Sequence, residues 1–244
     1  MTVALGDKPV SGILLDIEGT TTPIAFVSDV LFPFARAHMR EYLARHASTP
    51  HVRDAVRLLV EEHRRDAAMR AAPPEWRDET PASIAGYVEW LMDRDRKSPG
   101  LKLLQGFIWE GGYRSGTLKG EVFADVRPAF ERWRRAGIAI SIYSSGSGLA
   151  QRLLFGTTAE GDLVPFISAF FDTTVGAKTS RDSYCGIAHA LGCSTNQILF
   201  VSDSPAELDA AGTAGCQTLF CVRPGNREAD AGSVPTIRSF DEIV

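Results

Sequence analysis

The stretch Ile13-Leu14-Leu15-Asp16-Ile17-Glu18-Gly19-Thr20-Thr21-Thr22-Pro23 decides how the rest of the chain reads. Three apolar residues stop at a carboxylate, and glycine, threonines and a proline follow. A short apolar run bounded by turn residues is the pattern of a strand buried on both faces of a sheet. Asp16 then stands at the carboxyl end of that strand, where open parallel sheets hold their ligands.

Downstream, residues 28 to about 110 read as helices. Ser28 is the expected N-cap for the helix that runs to His46. Thr49-Pro50 and Thr80-Pro81 each place a capping hydroxyl before a proline at the first helical position. Ile84, Tyr87, Val88 and Leu91 recur at i, i+3, i+4 and i+7, an amphipathic stripe. A fourth helix is expected over Leu101–Glu110, closed by Gly111-Gly112, and no strand pattern interrupts this region.

From residue 125 strands and helices alternate. Helices are expected over Pro128–Arg135, Leu149–Phe155, Ser183–Leu191 and Pro205–Ala214, with strands over Ile138–Tyr143, Phe166–Phe171, Ile198–Val201 and Thr218–Val222. Short joins between such elements imply a parallel sheet covered on both faces. The expectation is an α/β fold with a Rossmann-like parallel sheet core. Residues 1–24 and 125–244 form that core, and residues 25–124 form a helical insert after the first strand.

Composition narrows the function classes. The chain has 244 residues, 44% hydrophobic and 23% charged, which excludes a disordered chain. Its 30 acidic and 26 basic residues leave a net charge of -4, which argues against nucleic acid as a partner. No apolar run reaches the ~20 residues that cross a bilayer, and the N-terminus shows no basic stretch followed by an apolar one, so neither membrane nor secretion is expected. Cys185, Cys193, Cys216 and Cys221 form no Cys-x-x-Cys pair and read as reduced thiols in a cytoplasmic protein.

The strand ends collect the residues that can do chemistry. The first carries Asp16 and Glu18, and the next carries Ser144 and Ser145. Gly176-Ala177-Lys178 follows the third, and Ser202, Asp203, Ser204 and Glu207 follow the fourth. Carboxylates suit a hard divalent cation such as Mg2+, while the lysine and hydroxyls suit phosphate oxygens. An aspartate can also attack phosphorus. Each residue has an ordinary reading as well: a strand-end turn for Asp16, a helix cap for Ser144 or Ser145, a surface site for Lys178. The spacing excludes a Gly-x-Ser-x-Gly elbow at Ser144, because Ile142 stands two residues before it, and the glycines there do not match a P-loop.

Asp16-Ile17-Glu18-Gly19-Thr20, Ser144, Lys178, and Ser202-Asp203 with Glu207 resemble the four ordered motifs of the haloacid dehalogenase (HAD) superfamily. The strings DIEGTTTPI, IYSSGS, LLFGTT, FDTTVGAKTSRDSY and FVSDSPAELDAA, with LQGFIWEGGYRSGTLKGEVFADV in the insert, resemble its enolase-phosphatase (acireductone synthase) family over nearly the whole chain. Most HAD members have aspartate two residues after the nucleophile; here Glu18 holds that position.

The resemblance implies a HAD-type core with an α-helical cap that excludes water during the reaction. It implies a monomeric, cytoplasmic, Mg2+-dependent phosphatase of methionine salvage acting on a small phosphate ester, 2,3-diketo-5-methylthiopentyl-1-phosphate. It also implies roles. Asp16 is the nucleophile, and Asp16, Asp203 and the Glu18 carbonyl hold Mg2+. Glu18 protonates the leaving oxygen and then activates water. Ser144 and Ser145 bind the phosphate, and Lys178 neutralises it and orients Asp16. Glu207 stands in for a second acid of the fourth motif. The enolisation base stays open between Glu18, Tyr87 and Tyr113. A HAD phosphatase lacking the enolase step, and a non-catalytic phosphate-binding module, are the competing readings.

Overall fold

The structure is a computed structural model that describes residues 10–76 and 78–243. The first nine residues, part of the stretch read for a secretory signal, lie outside the described residues. The chain divides into two compact units. One comprises the residues up to Val27 together with those from Lys119 onward; the other is Ser28–Leu118. The breaks expected from sequence were after residues 24 and 124.

In the first unit, strands β1 (Gly12–Leu15), β2 (Ala139–Tyr143), β3 (Ala169–Phe171), β4 (Ile198–Ser202), β5 (Gln217–Cys221) and β6 (Thr236–Ile237) form one parallel sheet ordered β3-β2-β1-β4-β5-β6. The register sets up the site. Leu15 pairs with Ile142 on one side and Val201 on the other, and the Asp16 amide donates to the Val201 carbonyl at 3.1 Å. Asp16 therefore leaves the sheet between the carboxyl ends of β2 and β4. All four β1 residues are buried, which is why the strand reads as an unbroken apolar run.

Helices α6 (Val126–Arg135), α7 (Gly148–Gly156), α8 (Arg181–Leu191) and α9 (Pro205–Ala214) flank the sheet. Tyr184, Ile187, Leu208 and Ala211 of α8 and α9 pack with Leu14, Phe200 and Phe220. Phe130, Trp133 and Phe155 of α6 and α7 form a second aromatic set with Phe170 and Phe240. The two-residue strand β6 was not expected. It follows a polar, turn-rich stretch and pairs only through Phe220 and Cys221, too little pattern to read from sequence.

The second unit is helical. It contains α2 (Phe32–His46), α3 (Pro50–Ala68), α4 (Pro81–Met92) and α5 (Pro99–Arg114), packed around Met39, Leu43, Leu59, Val88, Leu91 and Leu104. Three expectations fail here, the first being the capping hydroxyl of Thr49, which donates to the His46 carbonyl at 2.7 Å and accepts from no helix amide among the described residues. Ser28 is not an N-cap: the chain is already helical at α1 (Ile24–Phe26), and Ser28 lies in a π-helical turn, Val27–Leu31, with its hydroxyl on Asp29. Pro33 can offer no amide to the carbonyl four residues back, and the wider turn lies directly before it. Nor do Gly111-Gly112 close α5, which continues to Arg114. A Cβ on Gly112 would stand 2.7 Å from the Phe34 ring and 2.8 Å from Leu118, so the glycine serves close packing rather than termination.

Candidate active site

Asp16 is buried and held at both carboxylate oxygens. Its Oδ1 accepts from the Ile17 amide at 2.7 Å and pairs with Lys178 Nζ at 2.6 Å; its Oδ2 accepts from Ser202 Oγ at 3.1 Å. Lys178 also pairs with Glu207 Oε2 at 2.6 Å. The Lys178 side chain is only 8% exposed. Its backbone is secured by Tyr184, whose hydroxyl donates to the Lys178 carbonyl at 2.7 Å. Burial disfavours the ammonium, but the adjacent Asp16 and Glu207 carboxylates more than reverse this and hold Lys178 above the ordinary lysine range.

Ser202 joins the same network. Its Oγ lies 3.1 Å from Asp16 Oδ2 and 3.2 Å from Glu207 Oε2, and it accepts from the Ser204 amide at 3.1 Å. One hydroxyl proton serves one carboxylate at a time, so a protonated Glu207 would free that proton for Asp16. Burial, then repulsion from Asp16, pushes Glu207 up to about 7. Burial and Asp16, with Glu18 adding to them, push Asp203 up to about 6.

Asp203 approaches the first motif through Gly19. This glycine has φ of 67°, and a Cβ there would stand 2.2 Å from Asp203 Oδ2. Only a residue without a side chain admits that approach, so the carboxylate after β4 comes to lie against the backbone next to Glu18. Thr21 Oγ1 braces the turn by donating to the Asp16 carbonyl at 3.1 Å.

The structure thus brings together Asp16, Lys178, Ser202, Asp203 and Glu207. Glu18 is exposed beside them. Ser144 and Ser145 follow β2; Ser144 is buried with Oγ accepting from the Gly146 amide at 3.2 Å, and Ser145 is exposed. Neither caps the next helix. Ser147 does, accepting from the Ala150 amide at 3.2 Å.

Tyr87 and Tyr113 do not suit the enolisation base. Both are buried, Tyr87 with its hydroxyl donated to Asp66 at 2.7 Å. Burial raises both phenols far above their ordinary range. Strand-end reasoning also missed Arg223 and Asn226, which follow β5. Applied to that strand, the same rule would have found them.

Among the described residues, no three His, Cys, Asp or Glu side chains cluster to hold a metal ion. A cation bound here would draw on the Asp16 and Asp203 carboxylates and on backbone oxygen. The donor set fits a hard divalent ion. It is all oxygen, and Asp16, Glu18, Asp203 and Glu207 together exceed the charge of Lys178. Burial first, and then repulsion from Asp16 and Glu18, raises the Asp203 carboxyl.

Residues 10–215 match the family profile of the haloacid dehalogenase-like hydrolases. The structure resembles the UTR4 protein of Saccharomyces cerevisiae with a TM-score of 0.74 at 33% identity, over 95% of this chain and 99% of that one. It shares its fold with CbbY from Rhodobacter sphaeroides, at a TM-score of 0.58 and 16% identity, over 96% of each chain. Fold, strand-end carboxylates and buried lysine define a haloacid dehalogenase-like hydrolase. Within that class, enolase-phosphatase E1 of Synechococcus elongatus is 52% identical over 96% of this chain and 98% of its own. The Salmo salar enolase-phosphatase E1 is 42% identical over 89% and 87%. The chain belongs to the enolase-phosphatase E1 family.

Proposed function

We propose that the chain converts 2,3-diketo-5-methylthiopentyl-1-phosphate into the acireductone 1,2-dihydroxy-3-keto-5-methylthiopentene and phosphate, as a step of methionine salvage. The reading rests above all on the buried contact of Lys178 with Asp16, 2.6 Å, at the end of β1. A carboxylate so held is presented to a substrate phosphorus with its charge balanced, and phosphoryl transfer depends chiefly on such placement and neutralisation.

In this reading an Asp16 oxygen bonds to phosphorus as the ester P–O bond breaks, and Glu18 protonates the departing oxygen. Glu18 then takes a proton from the water that cleaves the aspartyl-phosphate. Ser144 and Ser145 bind the non-reacting phosphate oxygens, and Glu207 and Ser202 hold Lys178 and Asp16 in register. Mg2+, held by Asp16, Asp203 and the Glu18 carbonyl, would offset the charge of the transferring group. Enolisation moves a proton from carbon to a carbonyl oxygen. With Tyr87 and Tyr113 both buried and Tyr87 bonded to Asp66, Glu18 takes the part of that base.

The substrate is thus a small phosphate ester, and the expected setting is a cytoplasmic monomer, which sedimentation equilibrium checks. Among the described residues, no helix is long and apolar enough to cross a membrane. The test of the function is incubation with the diketo phosphate. Phosphate should appear together with the ultraviolet absorbance of the enol. Phosphate release without that absorbance would reduce the protein to a phosphatase lacking the enolase step.

A further inference from the structure

The turn that carries Asp16 and Glu18 contains a weak point. Gly19 has φ of 67° and no side chain to restrain it, so its two flanking peptide planes depend on hydrogen bonds to hold them. The plane shared with Glu18 is held within the turn, where the Gly19 amide donates to the Thr22 carbonyl at 2.8 Å. The plane shared with Thr20 is held on one edge within the turn, where the Thr20 amide donates to the Ile17 carbonyl at 3.2 Å, and on its carbonyl edge by a distant segment. Asn226 Nδ2 donates to the Gly19 carbonyl at 2.9 Å and to the Cys221 carbonyl at 3.3 Å, which ties the turn to the end of β5. One residue further along, Arg223 Nε donates to the Thr20 carbonyl at 3.0 Å.

That anchor is itself fixed. Arg223 is 5% exposed, pairs with Asp125 at 2.7 Å, and lies over the Phe123 and Phe240 rings at 4.6 and 4.5 Å. Asn226 is also directed at the reacting groups. A Cβ on Gly19 would stand 2.9 Å from Asn226 Oδ1 and 2.2 Å from Asp203 Oδ2, so the amide oxygen and the carboxylate converge on one point. Asn226 Oδ1 is buried and has no partner among the described residues. Both residues lie beyond residue 215, where the match to the hydrolase profile ends.

We propose that Asn226, anchored beside Arg223, is a positioning residue for the phosphatase reaction: it locks the Gly19–Thr20 peptide and thereby aims Glu18 at the leaving oxygen. The inference rests on the assignment of Glu18 as the acid given above. A group that aims an acid matters in proportion to the need for that acid. An alkyl leaving group needs protonation, whereas a nitrophenolate or an acetate departs without it. A general loosening of the fold would instead slow all esters alike.

The test is Asn226→Ala in the full chain with Mg2+, read as kcat/KM on esters that undergo no enolisation, where it reports phosphoryl transfer alone. A primary alkyl phosphate with no enolisable carbon, whose alkoxide must be protonated to depart, should lose at least tenfold, and p-nitrophenyl phosphate or acetyl phosphate less than threefold. Hydrogen–deuterium exchange supplies a readout independent of turnover. Amides 19–22 should exchange at least tenfold faster in the variant, with the β4 amides unchanged. An equal loss on all esters, or unchanged exchange at 19–22, overturns the proposal. Glu18→Gln separates the two layers of the argument. If it too lacks leaving-group dependence, the acid assignment fails; if it shows the dependence and Asn226→Ala does not, only the positioning role fails.

Discussion

Replacing Lys178 by methionine removes one charge from the middle of the site and keeps most of the side chain's volume. The ammonium contacts Asp16 and Glu207, each at 2.6 Å, and is nearly sealed from solvent. At an effective dielectric of about 20, charges about 4 Å apart attract by about 4 kcal/mol. Burying the three groups offsets much of that gain. Breaking such a buried pair leaves about 3–5 kcal/mol of uncompensated charge. Glu207, already pushed up to about 7, relieves part of it by taking a proton, so the lower end of that range applies near neutral pH. For a chain of this size that corresponds to a fall in Tm of about 6–12 °C. Catalysis loses more, because the charge of the transferring phosphoryl group is no longer met. Removing one such electrostatic contact typically costs about a hundred- to a thousandfold in kcat. Phosphate release at saturating substrate, measured well below the variant's Tm, reads the effect. A Lys178→Met protein with lowered Tm but kcat within threefold of the parent would confine Lys178 to a structural role and refute the reasoning.

Gly19→Ala should lower both Tm and activity. Its backbone would sit in the left-handed region at about 1–2 kcal/mol, and its Cβ would displace Asp203, so an unchanged kcat/KM contradicts that close approach. The metal-free protein should lose stability as pH rises from about 5 to 8. Asp203 and Glu207 are raised from 3.8 and 4.5 to about 6 and about 7, so their contribution is present below the lower values and lost through the higher ones. Thermal melts check this, with Mg2+ restoring Tm at the alkaline end and Glu207→Gln flattening the slope. Tyr87→Phe should destabilise by about 1–3 kcal/mol, because Asp66 loses a buried donor, while leaving enol formation intact. A variant that still cleaves phosphate but no longer forms the enol would return Tyr87 to the chemistry.

Much of the site was legible because strand-end placement is a local property. An apolar run that stops at Asp16, and another that stops before Asp203, announce themselves through burial and through the turn residues that follow. The resemblance of the ordered motifs added the roles. Capping was less legible. Ser28, Ser144 and Ser145 were all plausible caps, yet none takes the role and Ser147 caps the helix after β2, because a cap depends on backbone angles at one residue rather than on its type. Gly111-Gly112 misled for a related reason, since a glycine that ends a helix and one that admits a neighbour's ring look the same in a string of letters.

The sequence by itself determined the α/β class, the helical insert and the identities of the charged groups at the strand ends, since these follow from periodicity and from residue chemistry. Tertiary structure decided which of those groups share protons and charge. That Lys178 binds Asp16 and Glu207 at once, that Ser202 lies between the two carboxylates, and that Asp203 presses on Gly19 all depend on the register of β1 between β2 and β4. So does the tie from Asn226 to the turn after β1, across 207 residues of sequence. Contacts of this kind carry no periodic signal, because they arise where distant segments are brought within hydrogen-bond reach by the packing of everything between them.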